Sequence, residues 1–583
     1  KTIGRHNLKT GVYVERTGKL SPVVLAYRGS LSFARNTLNP YDSNNGFSNA
    51  LLGNYYSYAE GSKRLNGDWW FWNVEWYVQD NWRVTSRLTL DYGVRFYHLP
   101  GVTDNNGVMA TFYPSAYSTA NAPAIYRPAI NPANNTRMAQ NPLDGSFAPA
   151  TLIGAFVPNT GSISNGMMVA GQGAPDSLAR TTALDVSPRF GLAWDVLGTG
   201  KLAVHAGFGT FKDRTSILPA VNSSGAPPIA YTPTAYFGNV STLSQSTGYL
   251  SPSSISTFTG RAKTPTTMNF SFGIQTMVKD TSIDASYVGG LSRHLWINRP
   301  INNIPIGAHF NSANIDPTTK APLPDNFLRP YQGWSSITAA EFAGTSNYNA
   351  FQLKIERRYR GGLQYGIAYT LSKALGVEST EYDAVSGYFS PRQWNYGPIS
   401  NNRSQALIFN YSYDLPSLGR RNNWKAVGYV TDHWTISGIT SFVSGAPYMP
   451  TFSTTDGRDI TGASEAARIT VTGKPNAGPN GLNPNAFAST PIGSFGNAMP
   501  GMLQGPGQNN WDVALGKRIP IRSEERYLQF RAELFNAFNH TQYNGIDANF
   551  LFNSAGQQVS PTLGVYNSAR TPRIIELSLR FAF

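Results

Sequence analysis

Between Trp72 and Gln79 the side chains alternate without interruption: Trp72, Val74, Trp76 and Val78 fall on one face of an extended chain, and Asn73, Glu75, Tyr77 and Gln79 on the other. The pattern predicts a β-strand with a single apolar side. After a short connector over Arg83 to Arg87 the alternation resumes, with Leu88, Leu90, Tyr92, Val94 and Phe96 opposite Thr89, Asp91, Gly93, Arg95 and Tyr97, so the two segments predict a hairpin. The same unit recurs at Phe190, Leu192, Trp194 and Val196, through Gly198-Thr199-Gly200, into Leu202, Val204, Ala206 and Phe208, and again around Lys279-Asp280 and Arg360-Gly361-Gly362. In the last of these, Phe351, Leu353 and Ile355 precede the turn and Leu363, Tyr365, Ile367, Tyr369 and Leu371 follow it, opposed by Gln352, Lys354, Glu356, Gln364 and Thr370. About fifteen strands are expected between Leu8 and Phe583.

Alternation alone suits a soluble sandwich, with its apolar face in a packed core, as well as a barrel whose apolar face meets lipid and whose polar face meets a wet lumen. Connection lengths separate the two. Turns of a few residues at 197–200, 278–280 and 359–361 alternate with long connections near 99–186, 213–266, 292–348, 374–404 and 444–509, which are rich in Asn, Ser, Thr, Gly and Pro and show no sustained helical or strand period. Tight turns at one rim and long loops at the other are the layout of an outer-membrane barrel. Trp82, Trp194, Trp434 and Trp511 fall at or near strand ends, where an aromatic girdle would lie. At the C-terminus Ile575, Leu577, Leu579, Phe581 and Phe583 alternate with Glu576, Ser578, Arg580 and Ala582 up to the last residue. Such an ending resembles the C-terminal insertion signal that the barrel-assembly machinery reads in outer-membrane barrels.

Composition narrows the choice further. Charged residues make up 14% of the chain and aromatics 13%, with 56 Gly and 38 Pro, which is weakly charged and turn-rich beside an ordinary soluble domain of about 25% charge. No run approaches the roughly 18 apolar residues of a membrane helix, so a membrane reading has to be a β-barrel. The absence of Cys removes disulfides and thiolate chemistry and suits passage through an oxidising compartment. The formal charge of +14 is spread over the chain without a basic patch or helix. That argues against nucleic acid and leaves basic residues free to meet anionic lipid head groups.

Candidate chemistry is sparse. His6, His98, His205, His294, His309, His433 and His540 are scattered, with no metal-binding helix motif, nucleophile elbow or phosphate loop around them. Asp456, Asp459 and Glu465 in TTDGRDITGASE offer oxygen ligands at a spacing foreign to an EF-hand, and loop solvation is the favoured reading over calcium. Arg531 with Glu533, and Glu576 with Arg580, share strand faces as lumen charges rather than as a catalytic pair, since no nucleophile, base and orienting group assemble around them. Neither catalytic residues, nor a metal site, nor a cofactor is expected, and the chain is read as a non-enzyme.

Seven stretches in order, HNLKTGVYVER, WYVQDNWRVTSRLTLDYGVRFY, SPRFGLAWDVLGTGKLAVHAGFGTFKDR, TPTTMNFSFGIQTMV with SIDASYVGGLSRHLW, SNYNAFQLKIERRYRGGLQYGIAYTLSKAL, GPGQNNWDVALGKRI and FRAELFNAFNHTQYN, resemble the barrel of TonB-dependent receptors. The resemblance is in particular to the Oar-like group, which often carries an N-terminal carboxypeptidase-regulatory-like domain. The resemblance runs almost end to end. It implies an all-β, transmembrane, antiparallel up-and-down barrel of about twenty-two strands, plugged by an N-terminal domain and energised through TonB. Against that pattern, residues 1–583 read as an N-terminally truncated barrel domain in the bacterial outer membrane, without plug, TonB-contacting segment, signal peptide or first strands. The expected partners are outer-membrane lipid, the barrel-assembly machinery, TonB through the N-terminal region and an unidentified extracellular substrate. The expected role is substrate capture by the loops and passage through the polar lumen. The alternatives are a surface anchor for adhesion or assembly without energised transport and a soluble β-rich carbohydrate-binding protein.

Overall fold

A computed structural model describes residues 1–583 apart from 24, 26, 215, 259, 260, 381, 423 and 522. Fourteen strands form one antiparallel wall: β1 (His6–Pro22), β2 (Asn66–Arg83), β3 (Leu88–His98), β4 (Asp185–Asp195), β5 (Leu202–Lys212), β6 (Thr266–Val278), β7 (Thr281–Pro300), β8 (Trp334–Arg360), β9 (Leu363–Gly376), β10 (Gln405–Asp414), β11 (Trp434–Val443), β12 (Gln508–Ile521), β13 (Ser523–Phe535) and β14 (Ile574–Ala582). Each strand pairs with the next along the chain. The wall therefore has one strand fewer than the period alone predicts. Four short strands, Thr2–Ile3, Thr103–Asp104, Ser253–Phe258 and Gly397–Pro398, attach at its margins. Among the described residues β1 and β14 do not pair with each other, so the wall is an open sheet rather than a closed barrel.

Residues directly opposite each other in an antiparallel pair point to the same side, and the registers carry one apolar face across the whole wall. Val78 faces Val94, Tyr92 faces Phe190, Phe190 faces Phe208 and Val204 faces Ile274. Further on, Tyr287 faces Phe351, Phe351 faces Leu371, Ile367 faces Phe409, Leu407 faces Phe442, Ile436 faces Leu515 and Leu534 faces Ile575. These side chains do not bury one another: Val78 is 53% exposed and Leu579 67%. An apolar belt crossing fourteen strands exceeds what a soluble protein presents to water and is the surface that lipid covers. Among the described residues no helix is long and apolar enough to cross a membrane.

Connections alternate in length along the wall. Short ones span 84–87, 196–201, 279–280 and 361–362, and long ones span 23–65, 99–184, 213–265, 301–333, 377–404, 444–507 and 536–573. At 361–362 both glycines take positive φ, 61° and 79°, which is the twist a two-residue hairpin needs. Asp195 closes the 196–201 turn by accepting hydrogen bonds from the amides of Gly198 (3.0 Å) and Gly200 (2.9 Å). The 415–433 connection on the same rim is not a tight turn. It holds two short helices, Leu418–Arg421 and Lys425–Thr431, tied down by Lys517, whose Nζ donates to the carbonyls of Val430 and Asp432, each at 2.9 Å.

The long connections contradict their irregular appearance in sequence. They fold into small sheets, such as Ser30–Ser32 with Asn54–Ala59 and Thr234–Asn239, or Ala110–Phe112 with Met167–Ala170. These strands are too short for a period to show, and their partners lie far away in sequence. Strand β8 explains how the sheets attach. Its 27 residues at about 3.3 Å each extend well beyond the 9–11 residues or so that cross a bilayer. The stretch read as a loop over 292–348 is in part the projecting β7/β8 hairpin. Buried on that projection, Ala340 and Phe342 join Val23, Trp69, Met109, Leu178, Ala220 and Phe258 in one hydrophobic cluster. A second cluster, with Ile469, Leu482, Phe487, Leu503, Phe550 and Phe552, unites the 444–507 and 536–573 connections. The packed cores of this molecule therefore lie in a cap on the long-connection rim, above the wall.

Candidate functional site

The cap holds a cavity of about 380 Å³ where the 23–65, 99–184, 213–265 and 301–333 connections meet the top of β8. One wall is the parallel pairing of Ser253–Phe258 with the projecting end of β8, which sets Ser256 opposite Thr338. Phe156, Leu250, Ile255 and Tyr231 supply apolar surface, while serine, threonine and asparagine side chains supply the polar groups. Among the described residues that line it, none is an acid, a lysine, an arginine or a histidine. Trp69, fully buried beneath, donates from Nε1 to the hydroxyl of Ser224 on the cavity wall at 3.2 Å.

Ionic contacts lie outside the cavity and join one connection to another. His309 places Nδ1 2.7 Å from Asp459 and Nε2 3.1 Å from Asp325, so one imidazole bridges the 301–333 and 444–507 connections. Ser464 donates to Asp325 at 2.9 Å, and Glu465 accepts from the Ser386 hydroxyl at 2.7 Å and the Gly387 amide at 2.5 Å, which adds the 377–404 connection. Arg137 reaches Asp316 at 2.9 Å, across from 99–184 to 301–333. Burial opposes the charge of Asp316, but hydrogen bonds from the hydroxyl and amide of Thr318, from Arg137 and from the Thr319 amide outweigh it and hold the carboxyl at about 2. Arg214, just past β5, donates to Asn73 and to the carbonyl of Pro100, each at 2.6 Å, and stacks over Phe71 at 4.4 Å. Burial pushes its guanidinium down to about 10 against the pull of Glu15 and Glu75.

The polar face of the wall carries its own paired charges. Arg95 donates to Glu75 at 2.7 Å, Lys354 lies 2.8 Å from Glu356 and Arg531 lies 2.7 Å from Glu533. Glu576 stands opposite Glu533, and Arg580 opposite Gln529. Charge on the apolar side sits near the rims: Asp80, close to the 84–87 turn, takes His6 Nδ1 at 2.7 Å and the Tyr92 hydroxyl at 2.9 Å beside Trp82.

Of the residues singled out in the sequence, Ile575, Leu577, Leu579 and Phe581 share the apolar side of β14, opposite Leu534, Ala532, Phe530 and Leu528. Phe583 lies beyond the strand, 94% exposed, with its ring stacked on Phe581 at 5.8 Å. Trp82, Trp194 and Trp434 gather at the short-turn rim, and Trp511 stands near the opposite one. Asp456, Asp459 and Glu465 are not brought together: Asp456 pairs with Arg458 at 3.1 Å, while the other two turn to His309 and to Ser386. Nor are they merely solvated, since Asp459 and Glu465 tie connections to one another. Among the described residues no group of three His, Asp or Glu is arranged to hold a metal ion. The cavity and the His309 bridge were not legible in the sequence, because the bridge joins residues 150 positions apart and the cavity draws its lining from Leu25 to Thr338.

A one-sided apolar wall of consecutive antiparallel strands, with tight turns at one rim, defines an outer-membrane β-barrel protein. The chain belongs to the outer membrane beta barrel domain family, whose sequence profile matches residues 1–576. It is a protein of the bacterial outer membrane. No curated protein matches it significantly. Among solved structures it is similar to the outer membrane transporter YddB from Escherichia coli (11% identity, TM-score 0.40, covering 89% of this chain and 55% of that one). It is also similar to the ferric-catecholate import receptor Fiu from Escherichia coli K12 (12%, 0.38, 99% and 52%). A third is the ferric yersiniabactin uptake receptor FyuA from Yersinia pestis (8%, 0.36, 91% and 47%). The chain thus spans about half the length of these structures.

Proposed function

We propose that the chain is the barrel portion of an outer-membrane transporter of the TonB-dependent type, in its Oar-like group, and that it acts without catalysis. The cap captures a solute outside the cell and the polar face of the wall lines its route inward. The observation that carries this reading is the division of labour in the fold. The wall is apolar on one side and polar on the other along its whole width, and among the described residues the packed cores lie in a cap on a single rim. A polar inner face is common to outer-membrane barrels of any role, so it is the cap, with a cavity of ligand size, that favours capture over anchoring. The β14 residues Ile575, Leu577, Leu579 and Phe581, followed by Phe583, serve in this reading as the insertion signal.

Cells carrying the native gene, grown on single scarce solutes with and without functional TonB, test the proposal. A solute whose uptake requires both the protein and TonB is expected, and exchange of the 213–265 connection for that of a related barrel should change which solute it is. Uptake that persists without TonB would make the barrel a passive pore, and adhesion to cells or proteins with no uptake at all would turn the assignment to a surface anchor.

A further inference from the structure

We propose that the cap cavity is a binding site for a neutral oligosaccharide, an inference that takes its biological setting from the capture role above. It starts from which polar groups face the cavity and which of them are already used. Ser254 and Ser336 bond each other at 2.9 Å, and Ser224 is taken by Trp69 and by the carbonyl of Ala220. The side chains of Asn222, Thr232, Ser251, Ser253, Ser256 and Thr338, all lining the cavity, make no hydrogen bond to other described residues. A hydroxyl donates once and accepts twice, and an amide does both, so this surface offers donors and acceptors in similar number at short intervals.

That surface selects by charge as well as by hydrogen bonding. A ferric siderophore, a phosphate or an acidic peptide would call for arginine or lysine at the contact, and a cation for carboxylates. The cavity has neither, although the chain as a whole carries +14. A neutral sugar ring, which turns hydroxyls outward and a C–H face toward aromatic surface, fits free hydroxyls set beside Tyr231 and Phe156. A volume of about 380 Å³ lies in the range of small-ligand sites and suits a di- or trisaccharide. Ser256 and Thr338 are the pair to test, because their register places them side by side on the rigid parallel ladder rather than on an irregular loop.

The native full-length protein, purified in detergent, is titrated calorimetrically with maltotriose, cellotriose and xylotriose, with trigalacturonate as the anionic counterpart and a blocked neutral tripeptide as the control for peptides. One or more of the neutral trisaccharides should bind. Ser256→Ala, which removes the hydroxyl without adding bulk, and Thr338→Val, which keeps size and removes it, should each weaken that binding by about tenfold. Tyr231→Ala serves as an independent variant should either of these substitutions lower the melting temperature. Binding of the anionic trimer or the tripeptide in preference, sugar binding indifferent to all three substitutions, or no binding of a neutral sugar would each overturn the assignment. Loss of TonB-dependent uptake with sugar binding intact removes the transport reading and leaves this one standing. Uptake retained without sugar binding does the reverse.

Discussion

The contact between Arg137 and Asp316 shows how much a single carboxylate contributes to the cap. Held at about 2, Asp316 binds fewer protons in the folded state than a free aspartate of pKa ~3.9 does in the unfolded one. Its contribution to stability is therefore complete above about pH 4 and is lost as pH falls toward 2. The protection of 127–140 and 316–320 against hydrogen exchange, corrected for the pH dependence of intrinsic exchange, should be higher at pH 5 than at pH 2.5, and Asp316→Asn should shrink that difference by weakening the contact at pH 5 already. At this scale sequence reading reached least far. Asp456, Asp459 and Glu465 are neighbours in the chain, yet Asp459 bonds the amides of Thr461 and Gly462 and turns to His309, while Glu465 turns to Gly387. A side chain's partner depends on how distant connections pack, and no spacing records that.

Hairpins were legible because everything that specifies them is local. The alternation over Phe351–Ile355 and Leu363–Leu371 sets the face, and the glycines between them set the turn. The two glycines are not equivalent. A Cβ on Gly361 would meet nothing within 4 Å, whereas one on Gly362 would lie 3.2 Å from the carbonyl of Asp414, and both residues have positive φ. Gly361→Asn should be tolerated, since Asn enters this region of backbone space readily. Gly362→Val should destabilise the β8/β9 hairpin by about 1–2 kcal/mol or more, read as lower yield of heat-resistant folded protein in detergent. The strands of the cap were not legible for the opposite reason: at two to six residues, they leave no room for a period to build up.

For the molecule as a whole, the consequence of the unbroken apolar face is that neighbouring positions obey opposite rules. Ile274 lies on the apolar side of β6, opposite Val204 and Ala285, and Gln275 lies on the polar side, opposite Ala203 and Asp284. Ile274→Arg should cost about 2–4 kcal/mol in a bilayer and reduce the fraction of protein recovered from the outer membrane, whereas Gln275→Arg should leave it unchanged. Equal recovery of the two variants would contradict the orientation assigned to the wall.

The hydrophobic cluster that joins Val23 to Phe342 also bears on the order of folding. Its members are spread over more than half of the chain, and chain closure over such separations costs entropy that only finished contacts repay. Each wall strand, by contrast, pairs with its immediate successor. The wall is therefore expected to pair first and the cap to condense last on β7 and β8, so that pulse-labelled hydrogen exchange should find β7 and β8 protected before 99–184. In that order the long connections would wait unfolded outside the membrane, where their abundance of Asn, Ser, Thr, Gly and Pro would keep them soluble.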